Sequence, residues 1–329
     1  MTIYDLLRHS VKQNASDLHV SSGNFPRHRI DGKLYVIKTL SHSSEWLQAQ
    51  LYALLDTAQQ EQLTQSKQLD FAFTLTADHR CRVNIFWQYH GLSAVFRFIP
   101  QLIPELQTLL PPKALIELSE QQSGLVLITG ATGSGKSTTL AALLQYLAAT
   151  TSRHIITLED PIEFVHTSET SLIQQREVGV HVESFHEGLY AALRQDPDVL
   201  LLGELRDKKS VTLALTAAET GHLVLSTLHT NSAINAIERI INLFSGEERH
   251  FIAYQLASCL HLIVGQTLFQ RKQGGRVALY EVLKQTHAVS NLIREEKWHQ
   301  LLTLQQTNSH NGMQTMEQAI ALYQQRGII

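Results

Sequence analysis

Residues 125–144 read LVLITGATGSGKSTTLAALL and contain the pattern GxxxxGK[ST] between Gly130 and Ser137. The apolar run before the pattern is typical of a buried parallel strand, and the Ala- and Leu-rich run after it is typical of a helix. Glycines in such a loop let backbone N–H groups surround a phosphate chain without interference from a Cβ atom. The segment therefore predicts a strand, a phosphate-binding loop and a helix, in the order that a nucleoside triphosphate site requires.

The loop also carries the groups that such a site needs for charge and metal. Lys136 is placed to reach the β- and γ-phosphates, and the hydroxyl of Ser137 is a predicted ligand of Mg²⁺. The N-terminus of the following helix adds a partial positive charge that favours an anion. We predict that ATP is bound by the loop and the first helical turn, which comprise Gly130, Ala131, Thr132, Gly133, Ser134, Gly135, Lys136, Ser137 and Thr138.

Composition limits the other possibilities. With 329 residues the chain is long enough for two domains, and a hydrophobic content of 43% is that of an ordinary globular protein. A net charge of −3 gives no indication of a nucleic-acid-binding surface. Cys81 and Cys259 are far apart and lack CxxC partners, so we expect neither a zinc site nor a disulfide framework. The low cysteine content is consistent with a reducing, cytoplasmic location, which we predict.

The N-terminal sequence has no basic region ahead of an apolar stretch, so we do not expect a signal peptide. No apolar run approaches the ~18 residues that span a bilayer. Any membrane association is therefore expected to go through a partner or a surface patch.

The pattern of secondary structure changes along the chain. Residues 1–98 alternate short helical and strand-like segments, which predicts a small α+β domain. Residues 99–112 are punctuated by proline and are predicted to be a linker. Residues 113–329 alternate strands with helices, which predicts an α/β domain with a parallel sheet. The predicted strands of this domain are residues 125–129, 155–158, 199–202, 223–227, 262–268 and 277–282.

Acidic residues follow two of these strands. Glu204 comes just after the apolar run 199–202, which is a Walker-B arrangement that delivers a carboxylate to the metal and the attacking water. Glu159, Asp160 and Glu163 follow the strand 155–158, whose carboxyl end we expect beside the phosphate loop. Either Glu163 or Glu204 is a candidate general base. The alternative for the second group is a solvated acidic loop.

Two histidines bracket the strand at residues 223–227. His222 precedes the strand and His229 follows it, so only His229 is expected at the ligand end. Spacing alone favours structural histidines, because an isolated histidine is rarely a ligand. Beside a γ-phosphate, however, His229 would be placed to sense hydrolysis.

Several longer motifs resemble those of the secretion ATPases of type II secretion and type IV pili. They are similar in order and spacing to the PilT-type pilus-retraction ATPases. The resemblance extends over nearly the whole chain, from ASDLHV at residues 15–20 to GMQTMEQAIALYQQRGII at the end. Its most specific elements are GATGSGKSTT, LEDPIEF, QREVG, ALRQDPDVLLLGELRD and LALTAAETGHLVLSTLHTNSA.

This resemblance implies a fold, an assembly and an activity. It implies a PAS-like N-terminal domain, a RecA-like P-loop ATPase domain and a homohexameric ring. It also implies a Mg²⁺-dependent motor that hydrolyses ATP to power type IV pilus retraction, as in twitching motility, or a related secretion machine. Its partner would be an inner-membrane platform protein.

The resemblance also assigns site residues. Glu163 falls in the family's Asp box and Glu204 in its Walker B, while His222 and His229 fall in its His box. Arg82 and Arg97 match arginines that reach a γ-phosphate across the ring, which is a reasonable role for a forked guanidinium. Ion pairs on the surface of a sheet are an equally good interpretation of these two arginines.

Two other functions are consistent with a P-loop. One is a RecA-like translocase on nucleic acid, which the acidic charge balance disfavours. The other is a nucleotide-gated regulatory subunit of another pilus motor, which the intact set of acids disfavours.

Overall fold

The computed structural model describes residues 2–38, 43–76, 79–99 and 102–329. The chain divides into two compact units, Met1–Leu102 and Ile103–Ile329. None of the described helices has the length and apolar character needed to cross a bilayer.

The first unit is an antiparallel sheet with helices packed on one face. Its six strands lie in the order β3-β2-β1-β6-β5-β4. The elements are α1 Ile3–Lys12, β1 Asp17–Ser21, β2 Arg27–Ile30, β3 Lys33–Val36, α2 Ser44–Tyr52, α3 Thr57–Ser66, β4 Gln68–Thr76, β5 His79–Gln88 and β6 Gly91–Ile99.

Alternation along the strands decides which face of this sheet is covered. Val83 and Ile85 on β5 and Phe96 on β6 are buried in one core with leucines of α1, α2 and α3. Because side chains alternate between the two faces of a strand, Arg82 and Arg97 belong to the opposite face. Their backbones are paired directly across β5 and β6. The predicted α+β domain therefore has one apolar face and one face that carries charge.

The second unit is built on a seven-stranded sheet in the order β13-β12-β7-β11-β10-β8-β9. Only the outer pair β12–β13 is antiparallel. Its elements are α4 Lys113–Ile116, β7 Gly124–Thr129, α5 Lys136–Thr150, β8 His154–Glu159, β9 Leu172–Glu177, α6 Phe185–Ala192, β10 Val199–Leu202, α7 Lys208–Glu219, β11 Leu223–Leu228, α8 Ala233–Ile241, α9 Glu247–Cys259, β12 Leu260–Gln270, β13 Arg276–Lys284, α10 His287–Arg294, α11 Leu301–Thr307 and α12 Met316–Gln325.

Both faces of this sheet are buried. Strands β7, β10 and β11 are buried at every position. Val224 packs in one core with residues of α7 and α8, while its neighbour Leu225 packs in a second core with residues of α5. A parallel sheet covered by helices on both faces is the architecture that alternating strands and helices predict, so the α/β class is confirmed.

Two elements were not predicted from the sequence. Strand β9 lies at the edge of the sheet and reads LIQQRE, so it lacks the apolar run by which the other strands were recognised. Helix α3 buries only Leu63, so its amphipathic pattern is weak.

Part of the predicted linker is packed on the second unit. Leu106 lies in a short 3₁₀ turn, Leu106–Leu109, and is buried in the core that includes residues of α5. The boundaries at residues 98 and 113 remain predictions.

Candidate functional site

The phosphate loop connects the end of β7 to the start of α5. Gly130 and Gly133 have positive φ angles of 156° and 79°. A Cβ atom on Gly133 would meet nothing within 4 Å, whereas one on Gly130 would clash with the backbone oxygen of Gln266. The loop is therefore open at Gly133 and pressed against β12 at Gly130, so a side chain at Gly130 would displace it.

Lys136 places a cation inside the curve of this loop. Its side chain is 7% exposed, and its Nζ donates to the backbone oxygens of Gly130 (2.7 Å) and Ala131 (3.0 Å). Burial lowers the pKa of Lys136, and the negative charges of Glu204 and Glu163 oppose that shift. Both predicted acids are therefore close enough to the loop to act on its lysine electrostatically.

The hydroxyl groups of the loop fit phosphate and Mg²⁺. Ser134 Oγ is buried and has no hydrogen-bond partner among the described residues. Ser137 is exposed on the first turn of α5. Within the described chain no group of three or more His, Cys, Asp or Glu could hold a metal ion. Mg²⁺ commonly takes one or two protein oxygens and completes its shell with phosphates and water, so the Ser137 hydroxyl is a suitable donor.

Glu204 and His229 meet beside the loop. Glu204 follows β10, and its Oε2 accepts a hydrogen bond from Arg206 Nε at 2.9 Å. The same oxygen lies 3.5 Å from Nε2 of His229, whose Nδ1 lies 3.5 Å from the hydroxyl of Thr132. Because β10 and β11 are adjacent parallel strands, their carboxyl ends bring the acid and the histidine together. The structure thus links the acid, the histidine and the phosphate loop in one chain of contacts.

The acids at the end of β8 and in the turn after it differ in their contacts. Glu159 Oε1 accepts hydrogen bonds from Thr157 Oγ1 (2.6 Å) and Gln175 Nε2 (3.1 Å), and burial raises its pKa. The backbone N–H of Ile162 donates to Glu177 Oε2 at 3.0 Å and so fixes the turn that includes Asp160. The Glu163 carboxylate has no hydrogen-bond or ion-pair partner among the described residues.

His222 lies at the other end of its strand. Its ring Nδ1–H donates to the backbone oxygen of Ala217 at 2.9 Å, and its backbone oxygen accepts from Gly124. Gly124 begins β7, whereas the phosphate loop follows the end of β7. Within the single chain, these contacts give His222 a structural role.

Arg82 and Arg97 form ion pairs within the first unit. Arg97 Nε lies 3.0 Å from Asp17 Oδ1, and Arg82 Nε lies 3.9 Å from Asp70 Oδ1. Their side chains are nevertheless 64% and 39% exposed, so both guanidinium groups keep donors available to solvent or to another molecule. The geometry is compatible with both predicted interpretations.

Sequence reasoning missed two buried polar residues near the loops. Gln266 on β12 donates from Nε2 to the backbone oxygen of Ser134 at 2.9 Å. Glu281 on β13 accepts from the backbone N–H of Ala233 at 3.0 Å. Each interrupts an otherwise apolar run, VGQTL or LYEVL, and this interruption is the signal that could have found them.

The family model for the type II/IV secretion system protein matches residues 1–274. The chain belongs to this family. The uncharacterised protein YggR of Escherichia coli, a relative, is 48% identical over 326 residues, which cover 99% of this chain and 98% of YggR. The type IV pilus retraction ATPase PilT of Pseudomonas aeruginosa is 44% identical over 329 residues, covering 100% of this chain and 96% of PilT.

A solved structure of the pilus retraction motor PilT with bound ADP has the same fold. It superposes with a TM-score of 0.91 at 41% sequence identity, and the match covers 100% of this chain and 94% of that chain. The predicted resemblance to PilT-type members of the type II/IV secretion family is therefore confirmed. The arrangement of an N-terminal domain followed by an ATPase domain is confirmed as well, and the chain is an ATPase of this family.

Proposed function

We propose that this ATPase is a Mg²⁺-dependent motor that powers retraction of a type IV pilus or drives a related secretion machine. The observation that carries the proposal is the convergence of Lys136, Glu204 and His229 at one edge of the sheet, in a chain that matches a retraction ATPase from end to end. Convergent charged groups at the carboxyl ends of parallel strands are the usual setting for nucleotide chemistry.

The residues of the loop have distinct roles in this proposal. The backbone N–H groups of residues 130–137 bind the phosphates, and Lys136 turns its ammonium from two carbonyl oxygens to the β- and γ-phosphates. Ser137 and Glu204 would hold Mg²⁺, and the bound ion would supply positive charge against the charge that develops on the transferred group.

We assign the general base to Glu163. Arg206 engages the Glu204 carboxylate at 2.9 Å, which fixes it for a metal- or water-positioning role. The Glu163 carboxylate makes no hydrogen bond or ion pair among the described residues, so it can accept a proton from the attacking water. His229, in contact with both Glu204 and Thr132, then responds to the presence of the γ-phosphate.

The assembly is part of the proposal. Six copies form a ring in the cytoplasm, and the ring acts on a platform protein at the inner membrane. Arg82 and Arg97 reach the γ-phosphate of a neighbouring subunit with the guanidinium donors that the structure leaves exposed. Hydrolysis in one site is thereby coupled to movement of the adjacent first unit.

Phosphate release by the full chain tests the proposed site. Lys136→Ala and Glu204→Ala should each abolish release, whereas Lys113→Ala, a substitution of an exposed lysine paired with Glu117, should not change it. If either site variant releases phosphate at the wild-type rate, the site is assigned wrongly.

A further inference from the structure

Gln266 contacts the phosphate loop at several points. Strand β12 runs parallel to β7 with Gly265 paired to Thr129, so Gln266 lies beside the first residue of the loop. Its side chain is 2% exposed and its amide donates to the backbone oxygen of Ser134. The same amide nitrogen would lie 2.9 Å from a Cβ atom on Gly135. One side chain therefore lies against two consecutive residues of the loop, Ser134 and Gly135.

Glu281 makes a comparable contact with the neighbouring loop. It is 5% exposed on β13, opposite Gly265 on β12. Its Oε2 accepts the backbone N–H of Ala233, the first residue of α8, four positions after His229. A Cβ atom on residue 265 would lie 2.6 Å from that oxygen, so the carboxylate fits only because Gly265 has no side chain.

The free-energy cost of burying a polar side chain indicates the role of Gln266 and Glu281. A buried amide or carboxylate destabilises a core unless it is hydrogen-bonded, and an apolar residue would fill either strand position at no such cost. Gln266 donates its amide N–H to the backbone of the phosphate loop and leaves its Oε1 without a partner among the described residues. Glu281 accepts from the first backbone N–H of α8 and from the side chain of Gln305. A glycine-rich loop is flexible by itself, so a fixed side-chain donor can hold it in its binding geometry.

We propose that the β12–β13 hairpin positions the phosphate site, with Gln266 holding the phosphate loop and Glu281 holding the segment that carries His229. Neither residue touches the reacting atoms, so both are positioning residues. The inference rests on the proposed nucleotide site and adds two residues that lie outside its sequence motifs.

Gln266→Ala tests the first half, and the chain offers a matched control. Gln255 on α9 is also buried, donates its amide to Glu219 at 2.8 Å and leaves its Oε1 without a partner among the described residues. Removing either amide should lower the melting temperature of the full chain by a similar amount. Only Gln266→Ala should weaken binding of a fluorescent ATP analogue, by roughly tenfold, which is the effect expected for losing one buried hydrogen bond.

The possible outcomes separate this inference from the site assignment. If Lys136→Ala abolishes binding of the analogue and Gln266→Ala binds it as well as wild type, Gln266 has no positioning role. If Gln255→Ala weakens binding equally, the effect is general destabilisation and the inference also fails. Should Gln266→Ala not fold, Gln266→Met keeps the length of the side chain and removes the donor without adding a charge, and the same weakening is expected.

For Glu281 the test is a split between kcat and KM. Glu281→Ala should lower kcat roughly tenfold with a smaller change in KM, since it frees the segment of His229 and leaves the phosphate loop held. Glu281→Gln retains an acceptor oxygen and should restore kcat to within about threefold of wild type. A kcat of Glu281→Ala equal to that of wild type would overturn the role, and so would equal losses in both variants.

Discussion

The two sheets of this protein place their charged residues in different positions. In the first unit, Arg82 and Arg97 lie in the middle of antiparallel strands, on the face that the helices leave uncovered. In the second unit, the central strands are buried on both faces, and Glu204 and His229 come only after the strands have ended. A sheet covered on both faces confines chemistry to its edge, whereas a sheet covered on one face can present charge along its length.

The largest effect on stability should come from truncating side chains in the two hydrophobic cores of the sheet in the second unit. Leu200 and Leu201 are adjacent on β10 and pack in opposite cores. Leu200→Ala and Leu201→Ala should each cost about 3 kcal/mol of unfolding free energy in chemical denaturation. Val95→Ala, on the uncovered face of β6, should cost less than about 1 kcal/mol. A similar cost at all three positions would remove the contrast between the sheets.

The next effect concerns turnover and the acids at the carboxyl ends of the strands in the second unit. Glu163→Gln should lower kcat for ATP by at least about 100-fold with little change in nucleotide affinity, since it removes the proton acceptor and keeps the shape of the side chain. Steady-state turnover and equilibrium binding of the full chain measure the two quantities. Glu187→Gln, at an exposed position on α6, is the control and should leave both unchanged. Turnover by Glu163→Gln near the wild-type rate would transfer the role of base to Glu204.

A smaller effect is expected on the uncovered face of the other sheet. Arg97→Ala should reduce turnover by roughly tenfold, as the loss of one charge-assisted contact to a phosphate predicts. Arg29→Ala is the matched control because Arg29 also pairs with Asp17, at 3.8 Å. If Arg97 acts on a neighbouring subunit, mixing the Arg97→Ala and Lys136→Ala chains should restore part of the activity. Equal effects of the two arginine substitutions would favour the ion-pair interpretation.

The smallest effect concerns a partly buried histidine in the second unit, His166. Burial lowers the pKa of His166 to about 4, while the unfolded chain titrates near 6.5. Between these values the unfolded state binds more protons, so His166 should make stability fall by about 1 kcal/mol as the pH decreases from 6 to 5. Denaturation curves of wild type and His166→Gln at both pH values measure this contribution. If His166→Gln shows the same pH dependence of stability as wild type, His166 makes no such contribution.

Sequence reasoning succeeded where local pattern and function coincide. The phosphate loop was found because its glycines, Lys136 and both flanks lie within one short segment. Glu204 and His229 were placed correctly relative to strand ends because apolar runs mark the strands of a covered sheet. The roles of these residues remain proposals that the substitutions above test.

Sequence reasoning failed where the hydrogen-bond partner of a residue is distant in the chain. Gln266 and Ser134 are separated by 132 residues, and Glu281 and Ala233 by 48. The pattern of β12 and β13 shows that a polar residue is buried, but it does not show which loop receives the hydrogen bond. Strand β9 was missed for a different reason, because an edge strand needs no apolar run. Arg82 and Arg97 stayed ambiguous since one of their two interpretations depends on a second subunit.

The direct pairing of Arg82 with Arg97 has a consequence for the balance between folding and activity. Two like charges opposite each other on adjacent strands repel, and Asp17 and Asp70 compensate only in part because both arginines remain hydrated. Arg82→Gln should therefore make the first unit slightly more stable, by a few tenths of a kcal/mol. Selection for stability alone would remove the repulsion between Arg82 and Arg97, so its presence is consistent with selection for a function of the two arginines.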